Sequence, residues 1–150
     1  MLLKEILNKK VKYTVEKANH YSFFTRATIG NRDIVFRADH DDEKGENFWY
    51  VTFEEFKKSE DGESSTYDIT GSGNELEVFS MVKDSLLEFI EKYKPKLIEF
   101  TAEKENDSDN RARLYARMLK RFRVSGYTYD ISDKHIFGRK VKAFALIRND

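Results

Sequence analysis

The hydrophobic period of this sequence changes at Gly71-Ser72-Gly73, and that change limits the fold more than any other feature. Upstream, apolar and polar residues alternate, as they do along half-buried strands. Downstream, Phe79, Val82, Leu86, Phe89 or Ile90, and Tyr93 recur three or four apart, which predicts a helix over 75–93 with one buried stripe. Glu75 and Glu77 lie in its first turn and Lys92 and Lys94 at its end, the distribution that the helix dipole favours. Lys94-Pro95 stops it, because the residue before a proline is pushed out of the helical region. Leu97 to Ala102 is then a mostly apolar run, which predicts a central strand. A strand, a helix and a strand in that order require a crossover connection, so the sheet cannot be a simple meander throughout.

The upstream half reads as strands joined by tight turns. Val11, Tyr13 and Val15 alternate with polar residues; Tyr21 to Ile29 and Ile34 to Ala38 flank Gly30-Asn31, a two-residue hairpin signal. Phe48 to Phe56 is the next strand, Ser59 to Glu63 a turn, and Thr66 to Thr70 a short strand. Beyond residue 102, Asp107 or Ser108 can cap a second helix over 109–122, with a stripe of Ala112, Tyr115, Met118 or Leu119, and Phe122. Gly126 ends it. Tyr127 to Ile131 and Val141 to Ile147 read as two last strands around a polar turn at Asp133 to Lys140. The expectation is one α+β domain over 1–150, with an N-terminal arm at 1–20 and a core at 21–150. Its sheet is mixed but mainly antiparallel, with helices on its faces. Phe79, Val82, Leu86, Phe89, Ile98, Phe100 and Leu119 are the expected core.

Several chemistries are excluded or disfavoured. The chain has no cysteine, so disulfides, thiolate nucleophiles and cysteine-bound zinc are ruled out. His20, His40 and His135 are far apart in sequence, and no metal site is expected from them. Asp39-His40-Asp41-Asp42-Glu43 lacks the glycine and terminal glutamate spacing of a calcium loop and reads as a solvated loop. There is no Gly-x-Ser-x-Gly frame and no phosphate loop with a lysine. The opening residues hold charges and no long apolar run, which predicts neither a secretory signal nor a membrane span. A cytoplasmic or virion location is expected.

The net charge of zero hides an asymmetry. Residues 1–110 carry 16 Lys/Arg and 24 Asp/Glu, a balance of −8, and residues 111–150 carry 11 and 3, a balance of +8. Arg113, Arg117 and Lys120 share one face of the second predicted helix, and Arg121 extends it. Such a stripe is a solvated or partner-facing surface, or a weak contact for phosphates or nucleic acid.

The order of elements is similar to the core of the GNAT-type acyltransferases, over roughly residues 21–150. In that family the fourth strand ends in a glycine loop whose helix start receives the pyrophosphate of coenzyme A. Asp68-Ile69-Thr70-Gly71-Ser72-Gly73 has the loop's spacing. The resemblance implies that the backbone of Gly71, Ser72, Gly73 and Asn74 would hold acetyl-coenzyme A. Leu114-Tyr115 and Gly126-Tyr127 match a second family pattern, and imply Tyr115 as the proton donor to the departing thiolate. Tyr115 also lies on the apolar stripe of its own helix, where packing alone accounts for it. Glu54, Glu55 and Asp68 are the carboxylates whose strand positions suit a general base. Asp68 stands where the family places a cation or an amide, and with Glu75 and Glu77 it puts negative charge where a pyrophosphate would sit.

More narrowly, Ile69-Thr70-Gly71-Ser72-Gly73, Val78-Phe79-Ser80-Met81-Val82, Ile98-Glu99-Phe100-Thr101-Ala102 and Arg113-Leu114-Tyr115 resemble a group of small uncharacterised proteins encoded by tailed phages. That likeness implies a GNAT-like fold and a phage origin. Two functions follow as expectations: a non-catalytic domain that binds a protein partner or belongs to a virion, or an acyl-coenzyme-A-dependent N-acyltransferase.

Overall fold

The computed structural model describes residues 11–59, 62–66, 75–103, 120 and 123–150. Four strands open the fold: β1 (Thr14–Ala18), β2 (Ser22–Ile29), β3 (Arg32–His40) and β4 (Phe48–Ser59). They form an antiparallel meander. The β2–β3 turn is the expected two-residue hairpin, closed by the pair Ile29↔Arg32, with Gly30 at φ 64°. β5 (Gly62–Thr66) folds back on the end of β4. The helix α1 (Glu75–Tyr93) has the bounds that its stripe predicts. β6 (Leu97–Glu103) follows, and β7 (Tyr127–Ile136) and β8 (Arg139–Arg148) complete the sheet.

The strand order is β1-β2-β3-β4-β6-β8-β7, with β5 paired to β4 off that path. Among the described residues β4–β6 is the parallel pair, and the other pairs are antiparallel. The crossover through α1 produces it, since two parallel strands cannot be joined by a hairpin. β6 lies between β4 and β8, which is why its first four residues are apolar on both faces apart from Glu99.

One face of the sheet packs on α1. Phe23, Ala27, Ile34, Phe36, Trp49, Val51, Phe53, Ile98, Phe100, Phe144 and Leu146 join Phe79, Met81, Val82, Leu86 and Phe89 in a single buried cluster. Phe89 is its centre, with ring centroids 5.0 Å from Trp49, 5.2 Å from Tyr93 and 5.8 Å from Phe23. Thr25 and Ser85, both buried, face each other across the sheet–helix contact and share a 2.7 Å hydrogen bond, so neither hydroxyl is left unsatisfied. Of the expected core, Leu119 lies outside the described residues, as do residues 1–10 of the expected 1–20 arm and the predicted helix over 109–122 except Lys120.

Asn47 fastens the crossover. Its Nδ2 donates to the carbonyls of Tyr93 and Lys94 at the end of α1, and its Oδ1 accepts from Trp49 Nε1. Its own carbonyl accepts from the backbone N–H of Lys96. Asn47 holds φ at 65°, a left-handed conformation that asparagine tolerates better than most residues.

Three sequence expectations are corrected. The first strand begins at Thr14, not Val11. The fifth strand begins at Gly62, inside the segment read as a turn, because β4 runs on to Ser59 and pairs with it directly. The polar turn expected at Asp133 to Lys140 shrinks to Phe137-Gly138, and β7 and β8 extend to Ile136 and Arg139. Charged residues there predict a loop, but a strand at the sheet margin needs no second apolar face. The pairs Asp133↔Lys142, Lys134↔Val141 and His135↔Lys140 continue the ladder.

Candidate functional site

β4 changes partner part-way along one edge. Its opposite edge is taken by β3 throughout Trp49–Phe56. On the free side, Phe48, Trp49 and Tyr50 pair in parallel with Leu97, Ile98 and Glu99, and the ladder then stops. The next partner on that side is β5, from Glu55 onward. Among the described residues no strand pairs with that edge over 51–54. The two central strands therefore part after Tyr50 and Glu99, leaving an opening roughly 13 Å long. Extended backbone of this kind takes an extended ligand or peptide by adding hydrogen bonds along its edge.

The opening has two dissimilar sides. Trp49, Val51 and Phe53 point into the α1 core. Tyr50, Thr52 and Glu54 alternate with them on the opposite face, where Glu54 is buried. The side chain of Glu55 is not among those described, and Asp68 lies outside the described residues.

At the closed end of the opening stands a polar cluster that the sequence reading missed. Glu99 is 5% exposed. Its Oε2 accepts a 2.7 Å hydrogen bond from Lys44 Nζ. Its Oε1 lies 3.4 Å from Lys134 Nζ and 3.5 Å from the Tyr50 hydroxyl. Burial alone would push the Glu99 carboxyl up, but the hydrogen bond from Lys44 and the charges of Lys44 and Lys134 outweigh it and hold the group below its ordinary range. Lys44 is raised in turn, chiefly by its hydrogen bond to Glu99. The signal in the sequence was the lone charge inside Leu97-Ile98-Glu99-Phe100: a carboxylate in a central strand must find cations. The cations come from the loop before β4 and from β7, 55 and 35 residues away in sequence, so their identity could not be read from spacing.

Chemically this cluster is a clamp. A general base for amine acylation is poised near neutrality by a raised pKa. Glu99 is driven the other way, and its lone pairs are occupied by two ammonium groups.

Elsewhere, an open groove of about 670 Å³ is lined by Val11, Lys12, Tyr13, Thr14 and Asp84. Tyr13 donates a 2.9 Å hydrogen bond to Glu88 Oε1, and burial together with Glu88 raises its pKa, so the phenol holds its proton. Among the described residues no group of three or more His, Asp or Glu side chains is placed to hold a metal ion. No helix among them is long and apolar enough to cross a membrane.

Of the residues singled out in the sequence, Gly71, Ser72, Gly73, Asn74, Tyr115, Arg113, Arg117 and Arg121 lie outside the described residues. Lys120 is helical and exposed. No protein-family model matches this sequence, and no curated protein matches it significantly.

Proposed function

We propose that this chain is a GNAT-like domain of phage type that works by binding, to a protein partner or within a virion, and not by acyl transfer. The order of elements supports the fold: a meander, a helix, a parallel junction at β4–β6, and a closing antiparallel pair. The observation that carries the binding reading is Glu99. The buried carboxylate at the closed end of the strand opening is ionised and clamped by Lys44 and Lys134. Glu75 and Glu77 in the first turn of α1, with Asp68 shortly before it in sequence, add to it, since carboxylates near a helix start oppose a pyrophosphate. An extended segment of a partner protein suits the β4 edge over 51–54.

One observation favours the second reading, an acyl-coenzyme-A-dependent N-acyltransferase. α1 starts at Glu75, directly after Gly71–Asn74 in sequence, and the first four backbone N–H groups of a helix have no partner within it. Calorimetric titration with acetyl-coenzyme A separates the two. Weak or absent binding is expected, and Asp68→Arg should strengthen whatever remains. Sub-micromolar affinity in the unaltered chain would overturn the binding reading. Tyr115→Phe should then slow acyl transfer without loosening the fold.

A further inference from the structure

The β7–β8 ribbon ends in a turn that its sequence does not favour. Ile136↔Arg139 is the last pair, so Phe137 and Gly138 alone make the loop, with φ of 53° and 76°. A two-residue turn with both φ positive is the hairpin type normally filled by Asn-Gly or Asp-Gly. Phenylalanine at its first position meets the steric cost of the left-handed region, about 1–2 kcal/mol. Packing does not offset that cost. Phe137 is 100% exposed, and a Cβ built on Gly138 would meet nothing within 4 Å. A strained aromatic ring held wholly in solvent is the kind of outlier from which a function is inferred.

The turn is flanked in sequence by basic residues. Residues 134–142 include Lys134, Arg139, Lys140 and Lys142 and no carboxylate. Lys134, His135 and Lys140 are exposed beside the turn. The nearest acidic residue along the ribbon is Asp133, paired in register with Lys142.

We propose that this tip binds single-stranded nucleic acid, with Phe137 stacked on a base and Lys140 beside it on an adjacent phosphate. A ring exposed on all sides offers its faces to any base, and stacking of this kind tolerates sequence. A duplex keeps its base faces covered, and opening a step costs a few kcal/mol that one ring does not recover. A membrane is the poorer fit. Among the described side chains the other large exposed hydrophobics, Val15, Tyr21, Leu87, Tyr129 and Ile147, belong to other elements or to the far end of the ribbon, so none of them adds to the ring as a membrane anchor. The proposal stands whether or not the chain binds coenzyme A.

The test is fluorescence anisotropy of a labelled single strand of about 15 nucleotides, titrated with the full chain at low salt. Binding should fall roughly tenfold in Phe137→Ala, the loss of one stacked base. Phe137→Trp should keep the affinity and show its emission quenched by the strand; native Trp49 is 3% exposed, so the quench reports residue 137. Phe137→Asn restores the favoured turn. It should raise the melting temperature by roughly 2–4 °C while losing the same affinity, which separates binding from folding. Lys140→Gln should reduce the logarithmic salt slope by about 0.7. The proposal is overturned by no binding up to about 100 µM protein, or by Phe137→Asn binding as well as the unaltered chain. A blue shift of the Phe137→Trp emission on phosphatidylserine vesicles, with none of the quenching by the strand, would assign the tip to membranes instead. A blue shift that follows protein concentration alone would assign it to self-association.

Discussion

Glu99 is a buried carboxylate in a central strand, held by two lysines from distant parts of the chain. Glu99 is almost fully buried, whereas its partners Lys44 and Lys134 keep 40% and 46% of their side-chain surface in solvent. Replacing it by glutamine removes the charge but leaves two lysines that water can partly recover. Glu99→Gln should therefore cost about 1–3 kcal/mol at neutral pH, less than a fully enclosed pair would. The sign of the pH dependence follows from the direction of the shift. The folded carboxyl titrates below its ordinary value of 4.5, so its contribution is complete above that value and is lost as the pH falls below it. Urea midpoints of the two proteins should differ at pH 7 and converge as the pH is taken down from 4.5. A difference that persists unchanged in acid would show that the clamp does not depend on ionisation.

Among the elements, β6 is the one that cannot be disturbed cheaply. It pairs with β8 along its length and with β4 over Leu97–Glu99, it packs under α1, and Phe100 within it is fully buried opposite Phe144. Phe100→Ala should cost about 3–5 kcal/mol, read as a shift in denaturation midpoint. A loss below about 1 kcal/mol would mean that the neighbouring side chains close the void. β6 and α1 were the most legible parts of the sequence for the same reason: each buries a regular stripe, and burial imposes a period. β7 and β8 were misread at their tip because a ribbon at the sheet margin is held by backbone pairing, which leaves no apolar pattern in His135 or Lys140. Glu99 was visible as an oddity in an apolar run, but Lys44 and Lys134 reach it through the tertiary fold, and nothing in their local sequence marks them.

At the scale of the molecule, opposite charge is separated along the chain. A net charge of zero at pH 7, built from −8 and +8 segments, removes the repulsion that keeps molecules apart and leaves attraction between unlike segments of neighbours. Added salt should therefore raise solubility at neutral pH, seen as a fall in light scattering between low ionic strength and about 0.15 M, where charges are screened beyond roughly 8 Å. The reverse trend would point to apolar contacts as the cause of association. Shape adds its own restraint. Among the described residues the sheet ends at β1 and β7, and β1 is exposed along its length and shifts register between Val15 and Lys17. A strand from another molecule laid against that margin would find its row of donors and acceptors out of step after two or three residues, with Glu16 and Lys17 at the fault. The sheet thus withholds a regular template at this rim, so crowding should yield reversible clusters sensitive to salt and not ordered fibres.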